Sequence, residues 1–405
     1  TGIMAWFLVL VLVPLSAQAQ SGLSLRGAVG EALERHPLLA AEEARIESAR
    51  GLRTQAGLRP NPRFVFQAEN LRGGEFSFSR EADTYAYLTQ PLELFGKRER
   101  RVDAAAAAVR RAELERELLR RQIAGRVKRA YWMAAGAQRL YELLLETGRN
   151  FQQVIEYHEL RVREGAMAEA DLLRVRVEGE RLAITANSAA LDAERARIQL
   201  LREMGRTEFP TVLLADSLKE AGEDLPAADV ARALEERPEM KIARQALEQA
   251  RAEARLAQAN WKPDFELLAG YKRAAGFNTV IGGLQIGLPL ANRNQGTVAA
   301  ATAQAKAAES SLAATEALVK AEVKAAVTEC ELRRKQLTES LRPLREHAAD
   351  SARIALAAYR EGGADLLRLL DAERLRLEVE MLHYRTLAEY WQSVAALETA
   401  LGVTP

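Results

Sequence analysis

The 405 residues predict a mainly α fold with a small β part, in which long coiled-coil helices alternate with four short strands. Three observations carry this expectation. Alanine, leucine, glutamate and arginine dominate while aromatics make up only 6%, a bias toward long helices rather than a compact mixed core. Residues 98–163 contain no proline and can run as one helix of 66 residues, roughly 100 Å at ~1.5 Å per residue. Between the helical stretches lie segments in which apolar and polar residues alternate with a period of two. At 48% hydrophobic and 28% charged residues the chain is not generally disordered, and a formal charge of +1 excludes a polyanion binder by bulk charge.

At the start, Trp6 to Val13 is an unbroken apolar run, followed by Pro14 and by Ala17-Gln18-Ala19, small residues at the positions a signal peptidase reads. Residues 1–19 therefore read as a signal peptide, with the mature chain beginning near Gln20. The run falls short of the roughly 20 apolar residues a helical membrane span needs, and nothing later is hydrophobic enough for one. Cys330 is the only cysteine, so neither a disulfide nor a Cys-based metal cage can form, and no cysteine follows the signal to accept a lipid. His36, His158, His347 and His383 lack the close spacing of a zinc site and read as solvated helix residues. The sequence assigns no catalytic, cofactor-binding or metal-ligating residue.

Compared with itself, the chain repeats. Ala32-Leu33-Glu34, Pro37, Ala49-Arg50, Pro62 and Phe64 recur 201 positions later as Ala233-Leu234-Glu235, Pro238, Ala250-Arg251, Pro263 and Phe265, a period too long for a small solenoid unit. Gln90-Pro91-Leu92 matches Leu288-Pro289-Leu290, and Arg163-Glu164-Gly165 matches Arg360-Glu361-Gly362, each turn followed by Asp-Leu-Leu at 171–173 and 365–367. The first repeat is read as 20–204: helix, β-hairpin at about 62–92, long helix, tip turn at about 164–170, return helix. Gly205, Pro210, Gly222 and Pro226 make 205–226 the linker. The second repeat, 227–405, has its hairpin at about 263–290 and its tip turn at about 361–365.

Within the long helices, Ala130, Ala134, Ala137, Tyr141 and Leu144 step alternately by four and three. Leu367, Leu370, Leu377, Met381, Tyr384, Ala388, Trp391 and Ala395 hold a heptad register broken only by Arg374. Both patterns are coiled-coil seams. The counterpart of the first long helix, 296–361, carries Pro343 and is expected to kink there.

Four segments have about the length of a tilted membrane strand. In the first, Phe64, Phe66 and Ala68 oppose Gln67 and Glu69. In the third, Phe265, Leu267, Ala269 and Tyr271 oppose Asp264 and Glu266. In the fourth, Leu284, Ile286 and Leu288 oppose Gly283, Gln285 and Gly287. The second, Tyr85 to Gln90, is the least regular, with Tyr85 and Tyr87 as candidates for an aromatic girdle. Apolar outside and polar inside is the pattern of a membrane barrel. Four strands cannot close one alone, and open edges are not tolerated in lipid. Oligomerisation follows from the strand count.

The twofold order of helix, hairpin, long helix, glycine turn and helix, with Ala32-Leu33-Glu34 to Pro37 near its start and Pro60-Asn61-Pro62 before the first strand, resembles the TolC-like outer membrane factor family over nearly the whole mature chain. The resemblance implies a homotrimer in the outer membrane, with four transmembrane strands per protomer in a 12-stranded β-barrel and the long helices in a periplasmic α-tunnel. It implies that the turns at Arg163, Glu164 and Gly165 and at Arg360, Glu361 and Gly362 dock a periplasmic adaptor. It also places acidic residues at the pore constriction. Asp371 is the best match, Arg368 stands at the other commonly acidic position, and Asp365 is the second candidate. Gln90-Pro91-Leu92-Glu93-Leu94-Phe95-Gly96-Lys97-Arg98 resembles the heavy-metal cation branch. The basic run Lys97, Arg98, Arg100 and Arg101 is read as snorkelling at the barrel rim rather than as a nucleic-acid contact.

The expected function is a passive exit duct of a tripartite efflux system, without catalysis, driven by an inner-membrane RND-type transporter through the adaptor. The alternative is an exported coiled-coil adaptor or structural protein with no pore.

Overall fold

The computed structural model describes residues 22–222 and 229–403. The signal-peptide reading of 1–19 lies outside them, as does the end of the 205–226 linker. The first half runs α1 (Leu25–Arg35), α2 (Pro37–Gly57), β1 (Arg63–Glu69), a helical turn α3 (Phe78–Glu81), β2 (Asp83–Leu92), α4 (Lys97–Arg163) and α5 (Glu169–Glu203). The second runs α6 (Val230–Glu236), α7 (Pro238–Ala259), β3 (Phe265–Ala274), β4 (Phe277–Ile286), α8 (Gln295–Lys335), α9 (Arg342–Arg360) and α10 (Leu366–Leu401).

Local chemistry sets the breaks. Ser24 Oγ accepts the Gly27 N–H at 3.1 Å to start α1, and Pro37 and Pro238 occupy the first turn of α2 and α7, where a missing N–H costs nothing. The chain leaves β2 for α4 through Phe95 and Gly96, both at positive φ, and enters α8 through Asn294 at φ 58°. With no proline inside it, α4 runs unbroken for 67 residues. Its counterpart does not. Pro343 has no N–H to donate and its ring crowds the carbonyl four residues back, and the helix answers with a π-helical turn over Gln336–Leu341, where the Arg342 N–H reaches back five residues to Leu337 O. The expected kink at Pro343 is thus a π-turn that divides α8 from α9.

Two cores of the same plan join these elements. Ala28, Ala32 and Leu39 pack with Ile123, Val127, Tyr131, Leu200 and Leu201 in the first half. Ala233 and Met240 pack with Val319, Val323, Leu387 and Leu397 in the second. The halves meet between α4 and α10, where Gly136 lies so close to Ala388 that a built Cβ would stand 2.4 Å from the alanine methyl. One turn away, Trp132 and Trp391 stack with ring centroids 5.1 Å apart.

α10 carries two seams because it lies between two partners. The anticipated one, from Leu377 and Met381 through Ala388 to Trp391, faces the first half, while Leu367 at its start is exposed. Leu387, Tyr390 and Leu397 form the other, against α8 and the π-turn.

Three of the four histidines are buried rather than solvated, namely His36, His158 and His383. His36 Nδ1 accepts the Leu38 N–H at the start of α2. His158 is held by Val154 O at 2.7 Å and the Tyr359 hydroxyl at 3.0 Å. His383 Nε2 lies 3.3 Å from Glu220 Oε1. Each ring fills space between helices, which spacing along the sequence does not reveal.

Candidate functional site

The four strands form one antiparallel sheet in the order β1-β2-β3-β4. Its register places Phe64 opposite Leu88 and Phe66 opposite Ala86. Ala86 lies opposite Tyr271 and Leu88 opposite Ala269. Leu267 then pairs with Leu284 and Tyr271 with Val280. Directly paired residues share a face, so these side chains make one continuous apolar surface. They are open to the surroundings: Phe64 is 68% exposed and Val280 85%. A water-facing sheet does not present such a row.

The opposite face carries Arg63, Gln67, Glu69, Glu266, Lys272 and Gln285. Arg63 reaches across β2 to pair with Glu266, and Lys272 Nζ lies 5.2 Å from the centre of the Tyr85 ring. Tyr85 and Tyr87 therefore sit on this polar face, not in an outward girdle, because the register sets them beside Gln67, Val65, Lys272 and Gly270. β4 ends at Ile286, so Leu288 lies beyond the strand.

Each end strand has one neighbour, leaving the outer edges of β1 and β4 without a strand partner among the described residues. The helices repeat this plan. Next to the sheet α4 packs between α2 and α7, and α7 packs on α8. Toward the turns α4 packs on α5, and α10 packs on α4 and α9. The protomer is thus a strip, open along two sides and anchored by α4.

The strand-to-helix junction explains the basic run. Arg98 Nε donates to Gly57 O at 2.6 Å, and Arg101 donates to Ala56 O and Leu58 O while pairing with Glu93. Lys97 is buried, donating to Lys262 O at 2.8 Å and pairing with Asp264. Arg98 and Arg101 cap the carbonyl end of α2 and Lys97 holds the segment that follows α7; of the four, only Arg100 is an exposed side chain without such a role, 3.6 Å from Asp103. Lys97 ties the first repeat to the second, while Arg98 and Arg101 clamp the end of α2 within the first; these three side chains are engaged by the protein itself, which the reading as rim snorkelling did not foresee.

Midway along, the linker is strapped to the helices. Asp216 Oδ2 accepts the Tyr131 hydroxyl at 2.8 Å and the Leu25 N–H at 2.6 Å, and burial holds the Tyr131 phenol well above its ordinary pKa. Glu31 accepts two bonds from Arg206, which lower its carboxyl pKa.

At the far end, both helix pairs turn through the same device. The Ala166 N–H bonds Arg161 O at 2.8 Å and the Gly165 N–H bonds Val162 O; the Gly363 N–H bonds Ala358 O at 2.8 Å and the Gly362 N–H bonds Tyr359 O. Gly165 and Gly362, at φ 71° and 74°, supply the left-handed residue that this termination needs. Arg163, Glu164, Arg360 and Glu361 are exposed there.

After the turns the repeats differ. Asp365 caps α10, its Oδ1 accepting the Arg368 N–H at 3.0 Å. Its counterpart Ala168 makes no side-chain cap, and Asp171 lies in the first turn of α5. The Asp-Leu-Leu match is therefore three residues out of structural register. Asp371 is exposed and shares an open groove with Asp365, Leu367 and Arg368. Among the described residues no helix is long and apolar enough to cross a membrane and no group of acidic, histidine and cysteine side chains could hold a metal.

The outer membrane efflux protein model matches residues 28–206 and 230–403. The chain is 25% identical over 398 residues to the cobalt-zinc-cadmium resistance protein CzcC of Cupriavidus metallidurans, covering 96% of this chain and 93% of that one. It is 26% identical over 292 residues to the nickel-cobalt-cadmium resistance protein NccC of Alcaligenes xylosoxydans xylosoxydans, covering 70% of this chain and 64% of that one. The fold matches the outer-membrane channel OprN with a TM-score of 0.79 at 24% identity, covering 94% of this chain and 90% of OprN. It matches the open state of the Neisseria gonorrhoeae MtrE channel with 0.77 at 22% identity, covering 94% and 89%. The alternative of a poreless adaptor falls away. The chain belongs to the outer membrane efflux protein family and is a non-enzymatic exit channel in the outer membrane, with the sheet-and-long-helix fold of the channels it matches.

Proposed function

We propose that three copies close edge to edge into the duct of a tripartite system that exports divalent heavy-metal cations. A single observation carries the closure: a sheet with one exposed apolar face ends in two unpaired edges, and unpaired backbone groups in lipid cost several kcal/mol each. Four strands per copy give twelve for three, and because each copy holds an even number β4 of one copy runs antiparallel to β1 of the next.

In this reading the exposed turns at Arg163-Glu164-Gly165 and Arg360-Glu361-Gly362 receive the periplasmic adaptor, and an RND-type transporter in the inner membrane supplies the energy. Asp371 lines the constriction. Asp365 is spent on capping its own helix, and Arg368 stands one turn before Asp371, so the proposed ring carries both signs of charge. Support for metal as cargo comes from the two relatives, whose names specify cobalt, zinc, cadmium and nickel resistance. The test is deletion of the gene in its own host, followed by growth on cobalt, zinc, cadmium and nickel and on a panel of drugs. Metal tolerance should fall while drug tolerance holds; loss of drug tolerance alone would assign another cargo, and no change in either would refute the export role.

A further inference from the structure

The apolar face of the sheet changes character at one end. Its paired rows run from Leu92-Phe265-Ile286 beside the helices to Thr84-Arg273-Asn278 beside the hairpin turns. Among the described strand residues Arg273 is the one charged side chain on this face. It stands eight residues beyond Phe265, roughly 27 Å along the strand at ~3.4 Å per residue and about 20 Å across the membrane at the usual strand tilt. The apolar band of a membrane barrel is ~25 Å tall, so this row lies where hydrocarbon gives way to headgroups. With the long helices on the periplasmic side, as the export reading has it, the row meets the outer leaflet.

The row is rich in donors. The Tyr271 hydroxyl, on the same face, donates to Asn278 Oδ1 at 2.6 Å, which engages the amide oxygen and leaves the amide N–H groups free beside Arg273. Thr84 brings a hydroxyl from the other side. Among the described residues no carboxylate pairs with the Arg273 guanidinium, and those at this end of the sheet are engaged elsewhere. Asp83 accepts the Ala275 N–H and the Asn70 amide, each at 2.9 Å. Glu69 accepts from Gln67 and Tyr85 on the polar face, and Glu81 pairs with Arg72. The protein thus neutralises its rim carboxylates and leaves one lipid-side cation uncompensated.

An arginine on a lipid-facing strand is least costly at the interface, where its stem lies along the apolar face and its head reaches polar groups. A planar guanidinium also matches two oxygens of a phosphate. We propose that Thr84, Arg273 and Asn278 seat a phosphate of an outer-leaflet lipid headgroup, whose acyl chains then lie over Tyr271 and Val280 in the row below. This rests on the barrel reading and goes beyond it by assigning a lipid-binding site on the outside of the duct, away from the export path.

The test uses the full-length oligomer purified in detergent and stripped of lipid. It is titrated with diphosphoryl lipid A or with the same lipid dephosphorylated, and bound lipid is counted by native mass spectrometry. The unaltered protein should prefer the phosphorylated lipid. Arg273→Gln should bind it roughly tenfold more weakly and lose the preference, Arg273→Lys and Asn278→Ala should fall between, and Lys272→Gln, the neighbouring cation on the polar face, should bind as the unaltered protein does. Equal binding of the two lipids by the unaltered protein, or undiminished binding by Arg273→Gln, would overturn the seat and leave the barrel intact. Loss at Lys272→Gln with none at Arg273→Gln would put the polar face against lipid and overturn the barrel reading itself. Should Arg273→Gln fail to assemble, Asn278→Ala and the two lipids on the unaltered protein decide.

Discussion

The two halves share a plan but differ in the continuity of their long helix. α4 runs 67 residues without interruption, whereas the equivalent stretch is divided into α8, a π-turn and α9. One residue type accounts for it: Pro343 has no counterpart in α4. The turns show the same partial symmetry, with one glycine device used twice but an aspartate cap only before α10. Duplication preserved what closes the hairpins and let the helix interiors diverge. The first half therefore carries the uninterrupted helix and the second the helix divided by a π-turn.

The sharpest way to break the comparison is to exchange the proline. Glu146 lies as far from Gly165 as Pro343 does from Gly362, in exposed, regular helix. Glu146→Pro should destabilise the protein by about 3 kcal/mol or more, seen as a large fall in thermal midpoint in detergent, while Pro343→Ala should cost far less because the π-turn already accommodates that site. Equal losses would mean that α4 bends as readily as its counterpart. A smaller effect is expected at the join between halves. Gly136→Leu must displace Ala388 and should cost about 1–3 kcal/mol from overpacking, partly recovered by Ala388→Gly in the double variant. No recovery would show that the helices do not approach at that point.

The turns offer a finer contrast. Asp365→Ala should lose about 1 kcal/mol and Ala168→Asp gain a comparable amount, both read from denaturation midpoints. A neutral Asp365→Ala would contradict the cap. The least effect should come from pH. His36 and His383 both have lowered pKa values, His383 from burial first and then Arg345, against the opposing pull of Glu220, and His36 from burial and then Arg126. The unfolded chain then binds more protons than the folded one below about pH 6.5, so stability is full above that value and declines on acidification. His383→Gln should flatten the decline between pH 7.5 and 5.5 more than His36→Gln, because His383 is the more buried.

Much of this architecture is written in local patterns. The absence of proline announces α4, alternation announces β1, β3 and β4, and paired glycines mark the turns. What escaped depends on contacts distant in sequence. Tyr85 and Tyr87 look suited to an outer girdle until the register with β1 and β3 turns them to the polar face. Lys97 and Arg101 resemble a basic rim until the ends of α7 and α2 arrive beside them. The second seam of α10 is hidden because a residue series that faces one neighbour says nothing of another. At the tip, the resemblance ranks Asp371 ahead of Asp365 without saying what Asp365 does, and only the hydrogen bond it accepts from the Arg368 N–H marks Asp365 as a helix cap.

The most direct test of the account is the native mass of the complex extracted from outer membranes. Three chains per particle, persisting in detergent and absent from the soluble periplasmic extract, is the expected result. A stable single chain, with its apolar sheet face and both strand edges open, would contradict closure by sister copies.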